Sequence, residues 1–317
     1  MKIRFSALLS SIWVQKCKSK FRLKSIMLIG LFSIQLILPS TLWAQDVGLI
    51  WRYSKGGHDS YLLGSVHFAD DSFYPLAPHI MQAYQASSVL VVEVDDAVTP
   101  VEMQQTMMAR FGQYSEGQSI YDHLKPETIS LISALLSEFD VSLTQLQSYR
   151  PGMLAITLAS LQASKLGYRA EQGLDRYFLQ KARYKKTIRQ IEDFQFQMEL
   201  LGQLPEDDES LQKSFRDMQG YEKQWHDMMS DWKSGNGVGL YQTAIGNSLR
   251  ENPKLSVFFD VLFFDRHPRM VSAAEQCIES KEVCFVVVGA GHLVGEKGLV
   301  QALKNRGHKL EQLGLER

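Results

Sequence analysis

Short apolar runs alternate along the chain with longer amphipathic stretches. Two of these runs, SVLVVEV at residues 88–94 and EVCFVVV at residues 282–288, are rich in β-branched residues, which is typical of strands buried on both faces of a sheet. The pattern predicts four further strands, at residues 47–54, 60–66, 186–191 and 308–313. A glycine-containing turn at residues 55–59 joins the first two of these four strands into a predicted hairpin.

Helical periodicity dominates the middle of the chain. The predicted helices at residues 100–112, 126–139 and 151–166 each begin with proline, which the first turn of a helix tolerates. The other predicted helices are at residues 78–87, 173–185, 194–204, 205–233, 242–250, 253–264, 266–279 and 298–306. Because the strands cluster near the two ends and no linker interrupts the chain, we expect one α/β domain. Its central sheet is built from N- and C-terminal strands, and the middle supplies helices.

The first 44 residues have the character of a secretory leader. They contain seven basic residues and no acidic residue, followed by an apolar run at residues 26–38 and a small residue, Ala44. The apolar run is shorter than the roughly 20 residues that a bilayer span requires. We expect a signal peptide that is cleaved after Ala44, and a periplasmic or secreted domain at residues 45–317. The alternative is an uncleaved inner-membrane anchor with the domain facing the periplasm.

Cleavage changes the charge of the protein. The whole chain has 34 Lys and Arg residues against 35 Asp and Glu residues, a net charge of −1. Loss of the seven basic residues leaves an acidic domain with no basic stripe to displace phosphate counterions. The expected partner is therefore a peptide or a small molecule and not a nucleic acid. We expect no stable membrane span once the leader is removed.

Cleavage also changes the cysteine content. Cys17 leaves with the leader, so the domain retains Cys277 and Cys284. In an oxidising compartment these two residues are expected to form a disulfide, which closes a short loop and stabilises the fold by about 2–3 kcal/mol. A metal site built on the two thiols is disfavoured, because no further Cys or His residue lies beside them at ligand spacing.

Two copies of the motif G-x-x-H follow predicted strands. The first copy is Gly64 to His67 and the second is Gly289 to His292. In each copy the glycine lets the backbone turn where the strand leaves the sheet, and the histidine follows at the rim, where ligands bind in α/β folds. A single histidine of this kind is usually an ordinary packed residue. Two imidazoles on neighbouring strand ends can bind a divalent metal ion or act as acid and base.

Glu93 is the third candidate. It lies within the apolar run at residues 88–94, and a buried carboxylate requires a cation as its partner. Asp95 is two residues further on and is expected on the same face of the strand. We interpret Asp95 and Asp96 as caps of the next turn and assign a function to Glu93 alone.

These residues resemble the TraB/GumN family in order and spacing over residues 47–313. The resemblance rests on Gly64-x-x-His67, VVEVD at residues 91–95, EQGLD at residues 171–175, Ile191-Glu192, Asp265-Arg266 and GAGHL at residues 289–293. The family is similar to the Tiki metalloproteases and more distantly to the erythromycin-esterase/ChaN-like group. The resemblance implies a peptidase site that depends on a divalent metal ion.

The resemblance also implies roles for individual residues. His67 and His292 correspond to metal ligands, and Glu93 to a third ligand or a general base. Arg266 and Glu192 match further positions of the family, and we take them as catalytic candidates. The chemistry of a guanidinium suits Arg266 to stabilise an oxyanion or to clamp a substrate carboxylate. Asp175, Gly64 and Gly289 match the family without an assigned role. The residue after Arg266, where the resemblance implies Asn, is His267. We interpret His267 as the start of a helix and not as a polar group of the cleft.

The leading functional hypothesis is an exported, metal-dependent hydrolase that acts on peptides, with Mn, Co or Zn as the cofactor. The zinc-peptidase motif H-E-x-x-H is absent from the sequence, so the site has to be assembled from distant segments. The competing hypothesis is a non-catalytic periplasmic protein that uses the same cleft to bind a peptide or small ligand. A weaker alternative, implied by the ChaN-like relatives, is haem binding.

Overall fold

The computed structural model describes residues 46–204 and 206–315. The predicted leader lies outside these residues, so export and cleavage stay predictions. Within the described ranges, no helix is both long enough and apolar enough to cross a membrane.

The described residues form one mixed six-stranded sheet. Its strands are Ile50–Lys55 (β1), His58–Ser65 (β2), Val89–Val92 (β3), Thr187–Gln190 (β4), Cys284–Gly289 (β5) and Lys309–Gln312 (β6). The spatial order is β4-β3-β5-β2-β1-β6. The first four strands of this order run parallel, while β1 pairs antiparallel with both β2 and β6. The predicted α/β fold with a central sheet is confirmed, and one edge strand, β4, comes from the middle of the chain.

Glycines set the register of the β1–β2 hairpin. Lys55 pairs with His58, so only Gly56 and Gly57 form the connection. Both glycines have positive φ angles, 61° and 82°. Two-residue hairpin loops favour this conformation because its twist matches that of the strands, and glycine adopts it without a steric penalty.

Helices fill the intervals between the strands. They are Pro78–Ala86 (α1), Val101–Gly112 (α2), Pro126–Ser137 (α3), Pro151–Lys165 (α4), Leu174–Ala182 (α5), Phe194–Gly202 (α6), Asp208–Asp217 (α7), Tyr221–Ser234 (α8), Gly237–Tyr241 (α9), Asn247–Glu251 (α10), Ser256–Leu262 (α11), His267–Glu279 (α12), Ala290–Leu293 (α13) and Leu299–Asn305 (α14). Aspartates at residues 193 and 207 cap the first turns of α6 and α7, where their side chains accept backbone N–H groups.

Several predicted helices have different bounds in the structure, as two examples show. The stretch predicted as one helix at residues 205–233 divides into α7 and α8, because Gly220 adopts a left-handed conformation with φ 70° between them. The stretch predicted at residues 242–250 begins with a π-helical segment at Gln242–Gly246 and continues as α10. Hydrophobic periodicity alone does not reveal where one helix ends and another begins, or where an α-helix is preceded by a π-helical segment.

The main apolar core surrounds the sheet. Phe285 of β5 lies within it, with its ring centroid 5.6 Å from that of Tyr84 in α1 and 4.8 Å from that of Phe178 in α5. Trp232 of α8 is completely buried in the same core. A second apolar cluster belongs to the helical middle and joins α3, α4 and α7 through Ile132, Leu136, Leu154, Leu158 and Phe215. The sheet and its core therefore hold the strand ends at which the candidate residues lie.

The predicted cysteine pair is at disulfide-bonding distance. Cys277 lies in α12 and Cys284 is the first residue of β5, and their Cα atoms are 5.9 Å apart. The bond ties α12 to the beginning of the strand whose other end leads to His292.

Candidate functional site

The four parallel strands bring four candidate residues to one edge of the sheet. His67 follows β2, Glu93 follows β3, Glu192 follows β4 and His292 follows β5. Pairing continues beyond the strands, because the N–H of Glu192 donates to the carbonyl of Glu93 at 2.8 Å. The carboxyl ends of parallel strands are where α/β proteins bind ligands.

The surroundings of Glu93 differ from the prediction in two respects. Glu93 does not lie within the strand but directly after its last residue, Val92. The Asp95 side chain does not face the same way as that of Glu93. Its carboxylate accepts two hydrogen bonds of 2.8 Å from Arg183 and one from the N–H of Ala97. The alternation of a strand no longer applies once the chain has left the sheet. The interpretation of Asp95 as a cap is confirmed.

The two G-x-x-H motifs contact each other through their glycine and alanine residues. A Cβ atom on Gly64 would lie 3.0 Å from the Cα of Ala290, so only glycine allows the end of β2 to approach the second motif this closely. The indole N–H of Trp232 donates to the carbonyl of Gly64 at 2.7 Å. This close packing fixes the relative position of the two motifs.

Gly173 brings Asp175 beside His67. A Cβ on Gly173 would lie 2.3 Å from the carbonyl oxygen of His67, and the next residue, Leu174, donates its N–H to the carbonyl of Val66 at 3.0 Å. The first turn of α5 is therefore held against the chain that leaves β2. This contact accounts for the glycine in the EQGLD segment.

Asp175 connects His67 to Ser65. One carboxylate oxygen lies 2.9 Å from Nδ1 of His67, and the other accepts a 2.7 Å hydrogen bond from the Ser65 hydroxyl. The negative charge of Asp175 raises the pKa of His67 to about 9. The imidazole side chain is 64% exposed, so water screens this pairing although polar groups surround the ring. Because Nδ1 faces Asp175, Nε2 is the nitrogen available to a ligand.

Arg266 forms the centre of a buried ionic cluster. Its guanidinium donates to both oxygens of Glu192, at 3.0 and 2.7 Å, and to the carboxylate of Glu93. The remaining donors face the carbonyl of Leu262 at 2.9 Å and Nε2 of His292 at 3.2 Å. All five N–H groups of the guanidinium are thus engaged, which leaves none for an oxyanion or a substrate carboxylate in this state. The geometry gives Arg266 the role of holding the cluster together.

Glu93 is ionised in this cluster. Burial by itself raises the pKa of its carboxyl group, but the neighbouring His292, Arg266 and His67 and the N–H of Gly289 lower it to about 2. The N–H of Gly289 donates to Oε1 at 2.5 Å. His292 is neutral at neutral pH, because burial lowers its pKa to about 3. Arg266 is therefore the buried cation that balances Glu93 under those conditions.

His292 lies between Arg266 and a second histidine. Its Nε2 faces the guanidinium, and its Nδ1 lies 3.1 Å from Nε2 of His267. Nδ1 of His267 in turn lies 2.8 Å from the carbonyl oxygen of Lys297. Burial lowers the pKa of His267 as well. The ring of Phe263 covers His292, with the centroids 4.9 Å apart.

His267 makes a contact with His292 that the sequence did not predict. It does begin α12, as predicted, but its ring is 6% exposed and contacts His292 directly. The available signal for this contact was its position next to Arg266, because neighbouring residues at the start of a helix lie at the same end of that helix. Ser65 gave no signal of its own contact with Asp175.

Gly289 leaves space at the point on which three candidates converge. A Cβ at this position would lie 3.3 Å from Oε1 of Glu93, 3.5 Å from Cδ2 of His292 and 3.7 Å from Nε2 of His67. Nε2 of His292 and Oε1 of Glu93, two of the candidate donor atoms, lie 3.8 Å apart. Across residues 46–204 and 206–315, no group of three or more His, Cys, Asp or Glu side chains is already arranged to hold a metal ion.

The chain is similar to known proteins over most of its length. YbaP of Escherichia coli (strain K12), a protein described as uncharacterized, is 25% identical over 282 residues, which cover 83% of this chain and 97% of the relative. YbaP of Shigella flexneri matches to the same extent. No solved structure matches the chain. The profile of the TraB/PrgY/gumN family matches residues 49–312, which include all six strands and every residue of the site, so the chain belongs to the TraB/PrgY/gumN family.

Proposed function

We propose that this protein is a metal-dependent hydrolase that acts on peptides, and that His67, His292 and Glu93 hold a divalent cation such as Mn²⁺, Co²⁺ or Zn²⁺. The observation that carries the proposal is the convergence of these three side chains on the space beside Gly289. Imidazole nitrogens together with a carboxylate are a donor set that suits these cations.

The charge of the buried cluster favours a cation. Glu93 and Glu192 have side chains that are 7% and 0% exposed, and both face the single guanidinium of Arg266. Two buried carboxylates against one buried cation leave one negative charge in excess, which is costly in an apolar environment. A divalent cation beside Glu93 would neutralise it.

Both histidines are oriented as metal ligands commonly are. Nδ1 of His67 is bound to the Asp175 carboxylate, and Nδ1 of His292 is bound to His267. Contacts of this kind fix the ring orientation of metal-binding histidines and leave Nε2 as the ligand atom. At His292, Nε2 already accepts a hydrogen bond from Arg266, so a cation and this hydrogen bond are alternatives at the same lone pair.

The side chains of the site have separate tasks under this proposal. A bound cation would supply Lewis acidity for hydrolysis of a scissile carbonyl. Glu93 has both oxygens engaged, by Gly289 and Arg266, and so acts as an electrostatic partner and ligand in preference to a general base. Arg266 keeps Glu93 and Glu192 in place. Asp175 holds the exposed ring of His67 toward the cleft.

The contact between Arg266 and His292 favours a second candidate, hydrolysis without a metal ion. The guanidinium itself places a positive charge beside Glu93 and His292. The pair of His67 and Asp175 then has the arrangement of an acid or base whose second nitrogen is oriented by a carboxylate. This candidate uses the same cleft and differs from the first in its independence of chelators.

A cleavage screen distinguishes these functions. The purified protein is treated with EDTA, dialysed and supplied separately with Mn²⁺, Co²⁺ or Zn²⁺, and bound metal is measured by mass spectrometry. A peptide library is then incubated with each sample and its products are identified. We expect one bound ion per chain and cleavage that returns with the ion. The double variant H67A/H292A is expected to lose both properties.

The control for the double variant is H226A, which removes an exposed histidine on α8 outside the site. Cleavage that persists in EDTA and disappears in H67A/H292A would replace the metal-dependent proposal by the metal-free one. Peptide binding without cleavage under all conditions would support the non-catalytic binding protein instead.

A further inference from the structure

A chain of hydrogen bonds extends from Arg266 to the backbone of Lys297, and its donors and acceptors can be arranged in only one order. It joins the guanidinium of Arg266, Nε2 and Nδ1 of His292, Nε2 and Nδ1 of His267, and the carbonyl of Lys297. A guanidinium can only donate, and a carbonyl oxygen can only accept. The two ends of the chain therefore determine where each proton between them lies.

The protons can be assigned from the ends inward. Because the carbonyl of Lys297 accepts, Nδ1 of His267 carries a proton and its Nε2 is the acceptor. Because Arg266 donates, Nε2 of His292 is unprotonated and its lone pair accepts, while Nδ1 carries the proton. The two assignments meet at the 3.1 Å contact between the rings, where Nδ1–H of His292 donates to Nε2 of His267. The opposite tautomer would place two donors face to face at Arg266.

We propose that His267 is a positioning residue, which holds the His292 ring in the Nδ1–H tautomer and keeps Nε2 unprotonated, so that its lone pair is available to Arg266 or, in its place, to a cation. Its burial at 6% exposure, its two ring contacts and its location one residue after Arg266 all serve this arrangement. The consequence for hydrolysis rests on the proposed function, since a lone pair on Nε2 is required for a metal ligand. The tautomer itself does not depend on that function.

Side-chain ¹⁵N NMR of histidine-labelled protein tests the assignment directly. Long-range ¹H–¹⁵N spectra distinguish a protonated ring nitrogen from one with a free lone pair, and the variant H292Q identifies the His292 signals. We expect Nδ1 of His292 to be protonated and Nε2 to be unprotonated in the wild type at neutral pH. A wild-type His292 ring in the Nε2–H tautomer would overturn the proposal without any variant.

Two variants of His267 then test its role. H267F keeps an aromatic ring but removes both polar contacts. Nδ1–H of His292 then loses its acceptor, so we expect the ring to turn away from Arg266 in part of the molecules and the Nε2–H tautomer to become populated in those. H267N retains a carbonyl oxygen that can accept from His292 and an amide that can donate to Lys297, and is expected to restore the wild-type tautomer. The matched control is H79N, which alters a histidine that also contacts a backbone carbonyl, that of Val47 at 2.7 Å, outside the site.

The same variants have an expected effect on peptide hydrolysis. Loss of a residue that orients a metal ligand typically costs on the order of 10–100-fold in activity, so kcat for the fastest-cut library peptide is expected to fall by about that factor in H267F. H267N is expected to recover most of it with little change in KM. If H267F keeps the wild-type His292 spectrum, His267 does not position the ring. If the wild type shows the expected tautomer and cleaves no peptide, the proposed function fails and the positioning role stands.

Discussion

The two G-x-x-H motifs have the same local sequence pattern and opposite surroundings. The His67 side chain is 64% exposed and contacts a carboxylate, whereas that of His292 is 4% exposed and contacts a guanidinium and an imidazole. Burial lowers the pKa of His292 to about 3, and Asp175 raises that of His67 to about 9. A shared motif therefore specifies where a side chain leaves the sheet but not which protonation state it adopts.

The segment that follows each strand creates this difference. After β5 the chain turns at once into α13, and α12 and the ring of Phe263 close over His292. After β2 the chain bends at His67 and Phe68 before Ala69 pairs with Arg169, and His67 lies at the open side. The site therefore has a buried half, which the fold requires, and an exposed half that is available to substrate.

The largest expected effect comes from breaking the buried half at its cation. R266M removes the charge that balances Glu93 and Glu192 and should lower the free energy of unfolding by about 3–5 kcal/mol, because two buried carboxylates lose their partner. Urea unfolding measures this loss. The control R189M removes an ion pair with Glu282 that is partly open to water, with side chains 36% and 33% exposed, and should cost no more than about 1 kcal/mol. Equal losses in the two variants would show that the buried cluster is not a stabilising unit.

The next prediction compares the two histidines directly. H292A should destabilise the protein by about 2–3 kcal/mol, because it leaves a buried cavity and removes the partner of Arg266 and His267. H67A should change the free energy of unfolding by less than about 1 kcal/mol, because its ion pair is exposed. Both variants should lose peptide cleavage to a similar degree. An H67A variant as unstable as H292A would contradict the division into two halves.

The disulfide distinguishes the two strands that lead to the histidines, since it holds the far end of β5 and β2 has no such bond. Reduction with dithiothreitol should lower the free energy of unfolding of the wild type by about 2–3 kcal/mol, because the closed loop restricts the unfolded chain. The double variant C277A/C284A supplies the control, since the reductant should have no effect on it. The bond lies at the opposite end of the strand from His292, so metal content should not change.

The sequence predicts the position of the site through its strands but not the partners of its side chains. Apolar runs and the two glycines identified the ends of β2 and β5, because sheet burial and backbone freedom leave local signatures. The partner of His67 is Asp175, 108 residues away along the chain, and the direction of that contact depends on Gly173 packing against a carbonyl. The contact of His267 with His292 likewise required the packing of α12. Local pattern contains no information on such pairings.

The smallest expected change in stability, and the most direct test of the convergence of the two halves, comes from G289A. The φ angle of Gly289 is −50°, which alanine adopts without strain, and the new methyl group would lie 3.3–3.7 Å from the nearest atoms of Glu93, His292 and His67. We expect the free energy of unfolding to change by less than about 1 kcal/mol, because these contacts are close to ordinary van der Waals distances. The methyl group nevertheless fills the space in which a cation would contact both histidines, so cleavage and metal content should fall at least about tenfold, as for a site whose geometry is displaced.

The control G202A places a methyl group at a similar distance, 3.4 Å, from the carbonyl of Phe111 on a distant helix and should leave both properties unchanged. A stable G289A protein that still binds metal and cleaves peptide at the wild-type rate would show that His67 and His292 do not act at one point, however close the structure brings them.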